Sequence, residues 1–265
     1  MKKILSITVL LIASYTIQAQ TGVFVGTRGG LNVPKLTASG ENPMSKGYSS
    51  RLAGNGGIFV EFQFNELFSL RPMVEYSQQG GLRKGIQAIP VAMLPAEMQS
   101  IPPMVDEEYL YANFKSETKF DYIMIPVLAG FGQNLNNIPA RVYVNGGPFV
   151  SFLLDAKQIT SGNSHFYVDP AGDMTMGYLL SSLTGSPPIG EVPMNDQRNI
   201  TDEVNTVNFG VSANVGISYE VAKRHNILLE VGGNYGFKKL QKSAENGENR
   251  IGAATVVVGY AFKLK

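Results

Sequence analysis

Seven ionisable residues occupy positions where a strand-forming sequence has no ordinary use for a charge. Arg28 interrupts "GVFVGTRGGLN" (22–32), Glu61 interrupts "GGIFVEFQF" (56–64), and Arg71 and Glu75 interrupt "LFSLRPMVEYSQ" (67–78). Glu230 and Lys238 fall in "NILLEVGGNYGFK" (226–238), and Lys263 falls in "RIGAATVVVGYAFKL" (250–264). Each shares its strand face with small or polar residues such as Gly30, Ser77, Asn234 and Gly259, not with the run of valines on the other face. Burying such groups is costly unless they pair, so acids and bases in near balance predict a salt-bridged filling. The same set also admits an ion or proton path. Arg71, Glu75 and Glu230 are expected nearest the centre.

A second constellation is His165 in "SGNSHFYVDPAGD", with Ser161, Ser164, Asp169 and Asp173 nearby. These are the residue types of a hydrolytic triad or a calcium loop. No recognisable motif surrounds His165, and "DPAGD" lacks the dense acidic spacing of a calcium loop. With no cysteine and only two histidines, His165 and His225, little metal-binding material remains. No catalytic residue, metal or cofactor is expected.

The elements that position these groups are legible in "TVNFGVSANVGISYEV" (206–221). Val207, Phe209, Val211, Ala213, Val215, Ile217 and Tyr219 alternate with Asn208, Gly210, Ser212, Asn214, Gly216 and Ser218, the period of a strand. Similar segments recur at 22–32, 56–64, 67–78, 119–131, 141–154, 226–238 and 250–264. Short links alternate with long ones over 33–55, 79–118, 155–205 and, of medium length, 239–249. That alternation predicts an all-β, eight-stranded, antiparallel up-and-down transmembrane barrel with long extracellular loops and both termini at the short-turn end. The polar face holds mainly Gly, Ser and Asn, which suits a lumen only wide enough for side chains. The apolar face has aliphatic residues in the middle and aromatics at the rims, as with Phe209 and Tyr219, or Phe68 and Tyr76. A soluble barrel would reverse the faces. Pro72, Pro126 and Pro148 fall inside strands, where each removes a ladder donor, and suggest bulges. The segment 119–131 is apolar on both faces and cannot be oriented from sequence.

The bulk numbers agree. Charged residues make up 16% of the 265, low for a water-exposed surface, and the net charge of +1 offers no field for nucleic acid. Residues 1–19 read as a signal peptide: Lys2 and Lys3, the apolar run Ile4–Ala13, then cleavage near Ala19. This leaves 20–265 as a single barrel domain in the outer membrane, in contact with its lipids.

The long loops carry the remaining signal. "GIQAIPVAMLPAEMQSIPPMV" (85–105) is apolar for an exposed segment and contains Met93, Met98 and Met104, with Pro95 opening a short helix through Ile101. Loop 155–205 adds Met174, Met176, Tyr178, Leu179, Leu180 and Leu183. Such loops either pack on each other as a cap or present an adaptable methionine-lined surface to a partner. The partner would be another envelope protein or a hydrophobic ligand.

"RGGLNVPKL", "FSLRPMVEYSQQGG", "DYIMIPVLAGFG", "VYVNGGPFVSFLL" and "VVVGYAFKLK" together resemble the PorT-type outer-membrane β-barrel family. The resemblance covers nearly all of the chain after residue 19 except the long loops. It implies an outer-membrane barrel of about eight strands, and the family's named member serves a protein-secretion apparatus. The expected role is a non-catalytic binding or accessory component of the envelope acting through loops 79–118 and 155–205. The competing expectation is a carrier or narrow channel for a small hydrophobic ligand.

Overall fold

A computed structural model describes residues 22–94, 108–185 and 187–265. Among them, eight long strands form a closed ring: β1 (Gly22–Ala38), β2 (Ala53–Gln63), β3 (Phe68–Pro90), β4 (Tyr109–Asn134), β5 (Ala140–Ser161), β6 (Val207–Ala222), β7 (His225–Gly236) and β8 (Asn249–Lys263). Each pairs antiparallel with the next, and β8 closes on β1 from Phe24↔Lys263 to Ala38↔Asn249. Closure leaves no unpaired sheet edge, which a strand structure needs in a medium that cannot hydrogen-bond its backbone.

The faces follow the alternation. Val207, Phe209, Val211, Val215, Ile217 and Tyr219 of β6 are exposed outward, while Asn208, Gly210 and Asn214 are buried inward. The strand whose sequence left its orientation open is β4, and tertiary packing decides it. Tyr122, Met124 and Leu128 point into the lumen at 2%, 3% and 0% exposure, and Ile125 and Val127 face out.

Two expectations are corrected. Pro72, Pro126 and Pro148 do not cause bulges. Pairing lapses beside them, as between Phe59↔Met73 and Phe62↔Leu70, then resumes in the same register. A missing N–H removes one ladder bond without inserting a residue, so nothing shifts. The register does shift elsewhere, between Asp121 and Tyr122 of β4 opposite β5, and between Glu220 and Ala222 of β6.

The second correction concerns length. Residues 79–90, 109–118 and 155–161 are not loop but continue β3, β4 and β5. The β4 strand runs 26 residues, where crossing the hydrocarbon takes about 9–11. A three-stranded sheet therefore stands above the membrane, paired as far as Pro90↔Tyr109. A helix, α1 (Met176–Thr184), docks against it. Thr175 caps its start, accepting from the Tyr178 N–H, and Gly185 ends it at φ 71°, a left-handed conformation that glycine adopts without steric cost.

The interior is layered. Phe59, Met73, Leu128, Tyr143, Leu228 and Ala261 cluster in the half near the short turns. Leu36, Phe120, Tyr122, Met124 and Phe149 cluster in the half near the long loops, joined by Ile200, Val204 and Leu240 from those loops. Above them Val91, Leu94, Leu110, Ala112, Phe166 and Met176 form a separate core in the cap.

Candidate functional site

Five strands converge their inward charges on one chain of alternating sign. The Arg28 guanidinium donates from Nε and Nη2 to Glu75 Oε2 (3.0 and 2.5 Å) and from Nη1 to Glu230 Oε2 (2.6 Å). Arg71 donates from Nε and Nη2 to Glu61 Oε2 (2.9 and 2.6 Å) and from Nη1 to Glu230 Oε1. Glu230 thus bridges two arginines, and the Tyr143 hydroxyl donates to it as well (2.8 Å). Arg141 extends the chain, its Nη1 3.3 Å from Glu61 Oε1. Arg71 also lies over the rings of Phe59 and Tyr143, 4.8 and 5.1 Å from their centroids. Three acids meet three bases, so the buried network carries no net charge, the condition under which burial is tolerable.

Of the seven residues singled out in sequence, Arg28, Glu61, Arg71, Glu75 and Glu230 come together here. Arg71, Glu75 and Glu230 are the most deeply buried of them, at 2%, 3% and 2% exposure. Lys238 does not join: it is exposed, past the end of β7, where alternation no longer assigns a face. Lys263 points inward but sits at the mouth, with its ammonium 5.7 Å from the centre of the Phe24 ring. Sequence reasoning missed Arg141 and Tyr143. Both share the inward phase of Asn145, and that phase was the available signal.

Below the network a vestibule of about 610 Å³ opens at the short-turn end, lined by Phe24, Arg141, Leu228, Lys263 and others, with Glu61 and Arg71 at its inner end. Beyond the network, Asn32 Nδ2 and Gln79 Nε2 both donate to Ser77 Oγ (2.9 Å each). The apolar layer under the loops completes the fill. The vestibule is blind.

In the cap, Met176 is 1% exposed and belongs to the core, not to a surface. Met93, Met174 and Tyr178 are exposed, at 43%, 43% and 67%. Met98, Met104 and the expected helix from Pro95 to Ile101 lie outside the described residues. Loops two and three therefore pack on each other and still leave apolar groups facing out.

The residues around His165 do not assemble a triad. The Ser164 hydroxyl donates to the His165 carbonyl (2.6 Å) and accepts from the Asn113 N–H (2.8 Å), so it does not face the imidazole. Both Asp169 carboxylate oxygens are engaged by the N–H groups of Ala171, Asp173 and Met174 (3.0, 3.1 and 2.8 Å). Those bonds hold its pKa below the ordinary aspartate value, the Met174 N–H contributing most. His225, the first residue of β7, places Nδ1 2.6 Å from the Tyr260 hydroxyl. Among the described residues no group of three or more His, Asp or Glu is placed to hold a metal ion.

A closed ring of eight strands, aliphatic outside and filled with paired charges inside, defines an outer-membrane β-barrel. The chain belongs to the family described as "Outer membrane protein beta-barrel domain", whose model matches residues 18–242, and it resides in the outer membrane. No curated protein matches it. Among solved structures it is similar to Neisserial surface protein A (NspA), at 14% identity over 92% of this chain and 98% of that one, with a TM-score of 0.44. It is also similar to Ail, the attachment invasion locus protein of Yersinia pestis (10% identity, 91% and 100% covered, TM-score 0.36). The outer membrane protein OprG from Pseudomonas aeruginosa is a third (8%, 92% and 97%, TM-score 0.37).

Proposed function

We propose that this protein is a sealed, non-catalytic outer-membrane anchor whose extracellular cap binds another envelope protein. The observation that carries the reading is the division of labour in the structure. The lumen is filled from the Glu61–Arg71 pair to Leu240, while the cap has its own core and keeps Met93, Met174 and Tyr178 exposed. Exposed apolar groups on a rigid support are what a protein interface uses. The PorT-type motifs in β1, β3, β4, β5 and β8 support a place beside a protein-secretion apparatus. Residues 1–19 serve as the export signal, with cleavage near Ala19.

The test is an affinity tag in the fourth loop near Asn246, in the full chain expressed at native level. Extraction in mild detergent is expected to recover a stoichiometric protein partner, lost when Met174 and Tyr178 are both changed to Ala. Recovery of the same set of proteins with that variant would defeat the reading.

A second reading is a carrier or narrow channel for a small hydrophobic ligand, received in an apolar pocket of the long loops where Met93, Met174 and Tyr178 stay exposed. Under it, co-purification yields a bound lipid-like molecule without a protein, and Arg71→Ala or Glu230→Ala alters conductance.

A further inference from the structure

Under the cap lies a buried arginine that forms no ion pair with an acid among the described residues. Arg83, on β3 above the apolar band, is 5% exposed. Its Nε donates to Gln87 Oε1 (2.6 Å) and its Nη1 to the carbonyls of Met44 and Lys46 (2.7 and 3.4 Å). Its Cζ lies 5.1 Å from the centre of the Tyr48 ring. Every one of these partners is neutral, and Nη2 makes no hydrogen bond to the described residues. The other well-buried arginines differ. Arg28 holds Glu75 and Glu230, Arg51 holds Glu117, and Arg71 holds Glu61 and Glu230. Burial of Arg83 without an acid lowers its pKa from the usual arginine value, which marks an uncompensated desolvation.

Arg83 lines a cavity of about 50 Å³ in the outer mouth of the barrel, and Thr118 lines it too, as do Arg198 and Glu203, which pair with each other (3.3 Å) and leave the guanidinium of Arg83 as the excess charge. The Thr118 hydroxyl oxygen is buried and has no hydrogen-bond partner. Register explains why the two share a cavity. Thr118 stands opposite Gly81 and Ser116 opposite Arg83, so Arg83 and Thr118 are diagonal neighbours on one inner face. Gln158 stands opposite Thr118 on β5, with its Oε1 3.3 Å from Arg198 Nε at the edge of the same cavity.

We propose that this cavity is an oxyanion site, taking one carboxylate or phosphate group on Arg83 Nη2 and the Thr118 hydroxyl. A guanidinium removed from water is costly without an anion, and an unpaired hydroxyl beside it adds a second donor of the kind an oxyanion accepts. A water needs roughly 10–15 Å³ by this measure, so the space fits a single compact group. Leu36, Phe120, Ile200 and Val204 supply the apolar part of its lining, which strengthens any charge-assisted bond beside them. The anion is either free or the terminal group of a larger molecule. The site lies inside the cap, not on its exposed face, so it stands independently of partner binding.

The experiment is calorimetric titration of the full chain in detergent with inorganic phosphate, acetate and glycerol 3-phosphate at fixed ionic strength. Saturable one-to-one binding is expected, weakened about tenfold or more in R83Q, less in R83K, and measurably in T118V. Preference for glycerol 3-phosphate over phosphate would mark a terminal group, and the reverse a free anion. Heat-modifiable gel migration checks that each variant folds, and R83K keeps the charge if R83Q does not. Absence of saturable binding by the wild type, or binding unchanged in R83Q, overturns the site. So does binding that appears only after E97Q, D106N and E107Q, since an acid of the chain would then fill it.

Discussion

Glu230 is the residue on which the lumen network turns, since it alone links Arg28 to Arg71. Glu230→Gln leaves two buried guanidinium groups short of an anion. The expected cost is about 3–5 kcal/mol, read as a lower urea midpoint for the refolded barrel. Tyr143→Phe removes one donor to the same carboxylate and is expected to cost about 1.5–3 kcal/mol. Equal losses for the two would show that Glu230 is not the hub. Arg28, Glu61, Arg71, Glu75 and Glu230 were legible because strand alternation assigns a face without any knowledge of the partner strand. Arg141 was missed because it stands at the start of its strand, where phase is weakest. Lys238 was misassigned because its strand had already ended. Arg83 was read as loop, so no face was assigned to it.

At the scale of elements, α1 separates core from surface over two residues. Met176→Ala is expected to loosen the cap by about 2–5 kcal/mol, seen as faster proteolysis of the extracellular loops while the barrel keeps its gel shift. Tyr178→Ala is expected to change stability by less than about 0.5 kcal/mol. Matching protease sensitivity in both variants would contradict the placement of Met176 in the cap core. Asp169 closes the loop before α1 through backbone N–H groups. Its pKa in the folded protein lies below the unfolded value, so its contribution is full above the ordinary carboxylate range, near pH ~4, and is lost as pH falls through the lower folded value. The Asp173 and Met174 amide resonances are expected to stay fixed down to that range and shift only below it. A midpoint at or above pH ~4 would be inconsistent with these bonds. The helix was not legible in the sequence, where 155–205 reads as loop, although Thr175 and Gly185 stand as a cap and a stop on either side of an apolar run. Nor was the extension of β3 to β5, because Gly80, Gly81, Gly85 and Lys84 look like loop composition.

At the scale of the molecule, a filled lumen under a packed cap predicts no steady pore. Wild-type protein in a planar bilayer is expected to show no sustained conductance, and a stable open level would rule out the seal. Absence of cysteine makes topology easy to check. With an impermeant maleimide on intact cells, Lys84→Cys on the extended sheet is expected to label and Glu66→Cys in the β2–β3 turn is not. Labelling of Glu66→Cys alone would invert the orientation.

The sequence by itself determined the strand period, the strand count, the two opposite faces and the medium each face meets. These depend on local alternation, which needs no partner. Tertiary structure decided the orientation of β4, apolar on both sides, because only neighbours across the lumen distinguish the burial of Tyr122 from that of Ile123. It also decided that three strands continue far above the membrane, since pairing with neighbours holds glycine-rich chain extended where local propensity does not. The pairing within the lumen belongs to the same class. Glu230 reaches Arg28 across 202 positions of sequence, a proximity created by closing the ring.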